Sequence, residues 1–123
     1  MSLQVGVDLV SIERIARIAG RYQDRFLARI LSPCEKEQFI ARGSRIESLA
    51  AVFAAKEAVL KALGCGIGPA ALCEVEIISP GGSRPMVRLQ GKAADIAVEK
   101  NIKDITVSMT HEPPFACAVA AIY

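Results

Sequence analysis

The stretch 49–63, LAAVFAAKEAVLKAL, leaves this chain few ways to fold. Its residues are strong helix formers, and Gly64 stands where a left-handed cap would close the helix. At about 100° per residue, Leu49, Val52, Phe53, Val59, Leu60 and Leu63 form an apolar face. Ala50, Ala51, Ala54, Ala55, Ala58 and Ala62 cover the rest, so no solvated face is expected. Such a helix belongs inside a protein, where its alanines let other backbones come close. It nevertheless carries Lys56, Glu57 and Lys61.

Glu57 and Lys61, four residues apart, share a face with about 6 Å between their Cβ atoms, in the order that favours an ion pair. On a wet surface an internal helix pair would explain them. On a helix without one, both charges must be desolvated, and something has to compensate. A carboxylate on a hard cation, beside an ammonium on a phosphate, would do so. Lys56 falls near the middle of the apolar face. Its ammonium either snorkels out at a domain or subunit edge or meets an acidic or anionic partner.

At 123 residues the chain has the length of one domain, 1–123. With 52% hydrophobic and 23% charged residues it holds more apolar surface than one small core hides, so some is expected to lie between subunits. A net charge of +2, no Trp and 5% aromatics argue against a nucleic-acid binder, which needs a strong field or stacking platforms. Cys34, Cys65, Cys73 and Cys117 show no paired metal spacing and read as reduced thiols of a cytoplasmic protein. No basic leader with a long apolar core and no apolar stretch of about 18 residues occurs, so neither export nor a membrane is expected.

Residues 4–10 alternate as a strand, with Val5, Val7 and Leu9 on the expected core face and Gly6 and Asp8 on the other. Asp8 is then either a solvated edge residue or a site residue reached through the gap that Gly6 leaves. Ser11 caps a helical repeat of Ile12, Ile15, Ala19, Tyr22 and Phe26 that runs to Ile30, with a break expected at Gly20. Its opposite side carries Arg14, Arg17, Arg21 and Arg25, with Arg29 extending the line. The stripe is poor in acids: it is either an ordinary solvated face or the footprint of an acidic macromolecular partner.

Ser32, Pro33 and Glu35 have the spacing of a capping box, opening a helix that ends near Arg42. Gly64, Gly66 and Gly68 make a loop whose bare amides can approach a ligand. Strands at 74–79 and 86–90 flank a turn at 80–85, a helix covers 91–100, and strands at 104–111 and 115–123 are joined by Glu112, Pro113 and Pro114. The class is α+β, an antiparallel sheet with helices packed on it. His111, the lone histidine, ends a strand as either a turn residue or a ligand contact.

Three blocks are recognisable together: GVDLV at 6–10 with Ile12 and Arg14, FAAKEA at 53–58 with Lys61, Gly64, Gly66 and Ile67, and SMTH at 108–111. In this order, over nearly the whole chain, they resemble the holo-[acyl-carrier-protein] synthases, the small phosphopantetheinyl transferases. The resemblance implies a 4'-phosphopantetheinyl transferase-like fold and transfer of the 4'-phosphopantetheine arm of coenzyme A to a serine of acyl carrier protein, in fatty acid biosynthesis. It implies Mg2+ held by Asp8 and Glu57, and Lys61 at the transferred phosphate. Gly64, Gly66, Ile67, His111, Arg84 and Pro85 would complete the coenzyme site. Acyl carrier protein is acidic, and Arg14, Arg17, Arg21 and Arg25 match it in charge. The family also implies a cyclic homotrimer, with Asp8, Glu57 and Lys61 from one chain and His111, Arg84 and Pro85 from its neighbour.

Three positions depart from the family's pattern. Val52 stands where an arginine is common, so a basic anchor is either absent or supplied by Arg42, Arg45 or Arg84. Thr110 replaces a common serine and keeps the hydroxyl, and Glu112, Pro113 and Pro114 stiffen the turn after His111. The group that deprotonates the carrier serine stays open among a metal-bound water, Glu57 and a carboxylate of the carrier. A non-catalytic module binding a carrier protein or nucleotide is the alternative. The presence of Asp8, Glu57 and Lys61 together argues for turnover.

Overall fold

The alanine-rich stretch is a helix, α4 (Ile46–Leu63), starting three residues before the pattern places it, and Gly64 takes the left-handed cap at φ 78°. In the computed structural model, which describes residues 2–79 and 84–123, the other elements surround it. They are β1 (Gln4–Ser11), α1 (Ile12–Tyr22), α2 (Asp24–Ile30), α3 (Pro33–Ala41), a 3-10 turn (Leu72–Glu74), β2 (Val75–Ile78), β3 (Met86–Leu89), α5 (Gly91–Glu99), β4 (Ile105–Glu112) and β5 (Phe115–Ile122). Of the turn expected between β2 and β3, Pro80, Gly81, Gly82 and Ser83 lie outside the described residues.

The strands form two antiparallel sheets rather than one. A three-stranded sheet has the order β1-β5-β4, and β2 and β3 pair separately. In the larger sheet Gly6 lies opposite Ala120 and Asp8 opposite Ala118, while Val107 pairs with Ala120 on the other side. Small residues thus line the surface on which α4 rests. Ala116, Ala118 and Ala120 of β5 are buried, as are Ala50, Ala51, Ala54, Ala55, Ala58 and Ala62 of α4. Helix and sheet approach closely because neither has bulk to keep them apart.

This packing reverses the expected faces of β1. Val5, Val7 and Leu9 point outward and are 60%, 57% and 61% exposed, whereas Gly6 and Val10 are buried toward α4. Asp8 goes with them. Alternation assigns residues to faces, but it does not say which face is covered. Here the more apolar face is the one this chain leaves open.

The amino-terminal helical repeat breaks at Gln23, not at Gly20. Gln23 has φ 48° and separates α1 from α2, while a Cβ at Gly20 would meet nothing within 4 Å. Ser11 caps α1 through the amide of Arg14, and Ser32 and Glu35 form the full capping box of α3 with Pro33 in its first turn. These caps sit where the sequence puts them because a side chain and an amide three residues apart suffice to build them.

Candidate functional site

Asp8 and Lys61 meet where β1 crosses α4. The Lys61 ammonium donates to Asp8 Oδ1 at 3.1 Å and to the Val7 carbonyl at 3.0 Å. It therefore pairs across the β1–α4 contact, and among the described residues no ion pair joins Glu57 to Lys61. Nor is α4 dry all round. The Lys61 side chain is 52% exposed, and Val52, Phe53 and Glu57 are half-buried. Residues 53, 57 and 61 follow each other at helical spacing along a strip that the larger sheet leaves uncovered.

Glu57 shares this strip. Burial pushes its carboxyl above the usual carboxylate range and the charge of Asp8 adds to the effect, while Lys61 and Arg14 oppose it without cancelling it. The charge of Asp8 thus reaches Glu57 across the β1–α4 contact. The donor set suits a hard divalent cation that keeps several waters and takes only one or two protein carboxylates. Among the described residues no group of three His, Cys, Asp or Glu side chains is placed to hold a metal ion by itself. Gly64, Gly66 and Ile67 continue directly from α4 beyond Lys61, with Gly66 at φ 65° and Gly68 at φ 123°, conformations that favour glycine.

His111 is elsewhere in this chain. It lies with Thr110, Val52, Arg42 and Arg45 around a cavity of about 240 Å3 whose floor includes Leu49 and Ile77. Val52 and Glu57 are separated by five residues, roughly 140° around the helix, so the two groups open on different sides of α4. Of the three arginines considered as replacements at Val52, Arg42 and Arg45 line this cavity and Arg84 does not. Arg42 donates to the Ser79 carbonyl. Arg84 and Pro85 instead border a hollow on the outer side of the larger sheet, with Thr106, Ser108 and Val119.

The arginine stripe is split by Gln23, with Arg14, Arg17 and Arg21 on α1 and Arg25 and Arg29 on α2. All five are exposed. The Arg21 and Arg25 guanidiniums lie over the Tyr22 ring at 5.3 and 5.7 Å from its centre. Ile18, Tyr22, Phe26, Arg25 and Arg29 enclose an open hollow of about 410 Å3. The surface is thus apolar at its centre and cationic at its margin.

Lys56 resolves to the second of its sequence alternatives, an acidic partner. It is fully buried, 2.6 Å from Glu35 Oε1. Burial holds its pKa below the ordinary lysine value although Glu35 works against the shift. Glu35 also accepts from the Ser32 amide at 3.0 Å and the Ile77 amide at 2.8 Å. Glu76, equally buried, accepts from Ser32 Oγ at 2.5 Å, Arg88 Nε at 2.7 Å and Gln90 Nε2 at 2.6 Å. The network fastens the β2–β3 pair to α3 and α4. The sequence revealed Glu35 only as a capping residue, because its second role depends on β2, which lies about forty residues further along the chain.

The profile of the 4'-phosphopantetheinyl transferase superfamily matches residues 4–120. The chain belongs to that superfamily. It is 42% identical over 120 residues to the holo-[acyl-carrier-protein] synthase of Moorella thermoacetica, covering 98% of this chain and 93% of the relative. Its fold superposes on the crystal structure of holo-[acyl-carrier-protein] synthase from Neisseria meningitidis with a TM-score of 0.89 at 30% identity, covering 98% and 97% of the two chains. For the Helicobacter pylori enzyme in complex with coenzyme A the TM-score is 0.84 at 32% identity, with 97% and 99% covered. The α+β class with antiparallel sheets is therefore that of this transferase superfamily. No helix among its described residues is long and apolar enough to cross a membrane.

Proposed function

We propose that this chain is a holo-[acyl-carrier-protein] synthase that moves the 4'-phosphopantetheine group from coenzyme A to a serine of apo acyl carrier protein and releases adenosine 3',5'-bisphosphate. Fatty acid biosynthesis is the setting, in the cytoplasm, and residues 1–123 form one transferase domain. The observation that carries the reading is the convergence of Asp8 with Glu57 and Lys61, from motifs far apart in sequence, where β1 crosses α4 in a superfamily member.

The serine hydroxyl gives its proton to water, Glu57 or a carboxylate of the carrier as its oxygen bonds to the phosphorus that carries the pantetheine arm, and that phosphorus loses its bridging oxygen to the leaving bisphosphate. Asp8 and Glu57 are the residues that would hold Mg2+, which when bound neutralises charge on the pyrophosphate. Lys61, exposed and bonded to Asp8 and the Val7 carbonyl rather than to Glu57, has a third N–H to donate to phosphate oxygens as charge grows on them. The 64–68 loop, whose Gly64, Cys65, Gly66 and Gly68 amides are already bonded within the chain, borders the pantetheine phosphate through Ile67 and the bare glycine backbone. Arg14, Arg17 and Arg21 of α1, with Arg25 at the hollow beside Tyr22, take the acidic carrier.

His111, Arg84 and Pro85 lie away from Asp8 within one chain, which supports a cleft shared between subunits. Supporting self-association, Leu3, Val5, Val7 and Leu9 stand beside Phe115 and Val119 as an exposed apolar sheet face. A cyclic trimer joined through these faces brings the His111 cavity of one chain, with Arg42 and Arg45, to the Asp8 cleft of the next. Arg45 then replaces the charge missing at Val52. The test is mass spectrometry of an apo carrier protein incubated with this protein, coenzyme A and Mg2+. The carrier should gain the phosphopantetheine mass, and an unchanged carrier would leave only a binding module.

A further inference from the structure

Lys56 is the largest fully buried side chain of the protein, and none of the roles above uses it. Its three N–H donors are all taken. One goes to Glu35 Oε1 at 2.6 Å, one to the Leu72 carbonyl at 3.1 Å and one to the Val75 carbonyl. The two carbonyls belong to the segment where the glycine loop returns to the fold.

The loop's near end is held by helix capping, with the Gly64 amide on Lys61 O at 3.0 Å and the Cys65 amide on Leu60 O at 3.2 Å. Between these and the 3-10 turn, the backbone bond from Gly68 to Ala70 at 3.2 Å is local to the loop. At the loop's far end the Ala71 amide donates to Glu74 Oε1 at 2.8 Å within the 3-10 turn. The tie from there to α4 is the Lys56 side chain, from the helical turn that carries Glu57. Glu35 aims that side chain, since its other oxygen is held by the Ile77 amide at 2.8 Å.

A charge pair is not needed merely to fill this space. Well-packed neutral residues of similar volume replace buried pairs without loss of stability in many proteins. What an apolar side chain cannot do is tie two backbone carbonyls to one point. We infer that Lys56 is a positioning residue: with Glu35 it sets the far end of the 64–72 loop against Glu57 and Lys61, and so the placement of the loop against coenzyme A. The coenzyme part rests on the proposed function; the tether does not.

The test is the paired substitution Lys56→Met with Glu35→Gln in the full chain, followed by amide hydrogen exchange and coenzyme A titration. Exchange at residues 65–72 should quicken by roughly tenfold or more, the ratio expected for a lost charge-assisted hydrogen bond, while residues 54–62 of α4 keep their protection. Coenzyme A should bind several-fold more weakly, with the KM for carrier protein unchanged. Unaltered exchange in the loop of a folded variant overturns the tether. Weaker coenzyme binding with unaltered exchange means that Lys56 touches the ligand itself, and overturns it equally. If the unsubstituted protein binds no coenzyme A, the functional reading fails and exchange alone decides the tether. Should the double variant not fold, Lys56→Leu with Glu35→Gln, which likewise removes all three donors, is measured with the same outcomes.

Discussion

Gly6 of β1 lies so close to α4 that a Cβ built on it would stand 2.0 Å from the Ala58 carbonyl oxygen and 2.7 Å from the Ala62 amide. Both obstacles are backbone, which cannot swing aside. Two residues along the strand is Asp8, and three residues beyond Ala58 is Lys61, so the approach of the two backbones sets the separation of the two charges.

Gly6→Ala should consequently cost about 1–3 kcal/mol, as overpacking does, and reduce transfer by more than its loss of stability explains. Thermal unfolding and initial rates on an apo carrier measure the two effects. Gly20→Ala is the control: it lies within α1 with nothing near its Cβ position, and should be neutral or slightly stabilising. A fully active Gly6→Ala protein would break the link between strand spacing and the site.

Glu57 carries a cost that its proposed role would explain. Its carboxyl is raised above the ordinary 4.5, first by burial and then by Asp8, so the folded state holds that proton more tightly than the unfolded chain. Stability from this group is greatest below 4.5 and falls as pH rises through the raised value. Without divalent cation at pH 7, Glu57→Gln should therefore be more stable than the unsubstituted protein, by less than about 1 kcal/mol because solvent screens a half-exposed group. The difference should shrink toward pH 4.5. Transfer should fall by roughly 10²-fold or more, the scale of removing one electrostatic contact to the reacting group. Undiminished turnover at limiting Mg2+ would remove Glu57 from the site.

Much of this arrangement is written locally. Gly64 marks the end of α4, and Ser32 with Glu35 marks the start of α3, because each needs only residues within one turn of itself. Other features depend on residues far apart in sequence. The apolar run Val5, Val7 and Leu9 looks like a core face, and only the alanines of β5 and α4 disclose that the core needed the small face instead. Lys61 sits four residues after Glu57 yet bonds to Asp8, fifty-three positions away, because the helix carries it to the strand rather than to its own neighbour. Gln23 breaks the first helix in an uncommon conformation for which the present contacts give no physical reason.

The buried Glu76 makes the β2–β3 attachment sensitive to acid. Burial alone would raise its carboxyl, but hydrogen bonds from Arg88 and Ser32 outweigh this and leave it below the ordinary 4.5. Its contribution is complete above 4.5 and is lost as pH falls through the lowered value. Glu76→Gln should be less stable at pH 7 by about 1.5–3 kcal/mol, the worth of a hydrogen bond to a charged group. Denaturant titrations between pH 7 and pH 3 should converge for the two proteins as the unsubstituted one protonates. Parallel curves would assign the acid sensitivity elsewhere.

The basic surface predicts a selective defect. Arg14→Glu with Arg21→Glu should slow association with the carrier and flatten its dependence on salt, while coenzyme A affinity changes little. Stopped-flow binding at several ionic strengths measures the first, and calorimetric titration the second. Arg14 is the more informative of the two because its charge also reaches Glu57. Equal losses for both ligands would move these arginines into the coenzyme cleft.

The exposed apolar face and the separation of His111 from Asp8 together predict complementation. Asp8→Ala and His111→Ala proteins should each be inactive, since in the proposed shared site one would lack a carboxylate and the other the imidazole presented to the neighbouring subunit. In trimers formed by refolding an equal mixture, a cleft works when an Asp8-bearing chain meets a His111-bearing neighbour. Random assortment makes that true for about one cleft in four, so roughly a quarter of full activity should return. Light scattering on the unsubstituted protein should give three times the chain mass, and Val7→Lys on the open face should lower it. A monomer by scattering, or mixtures that stay inactive although labelled chains demonstrably exchange, would confine the site to one chain and leave the Val5, Val7 and Leu9 face without its proposed partner.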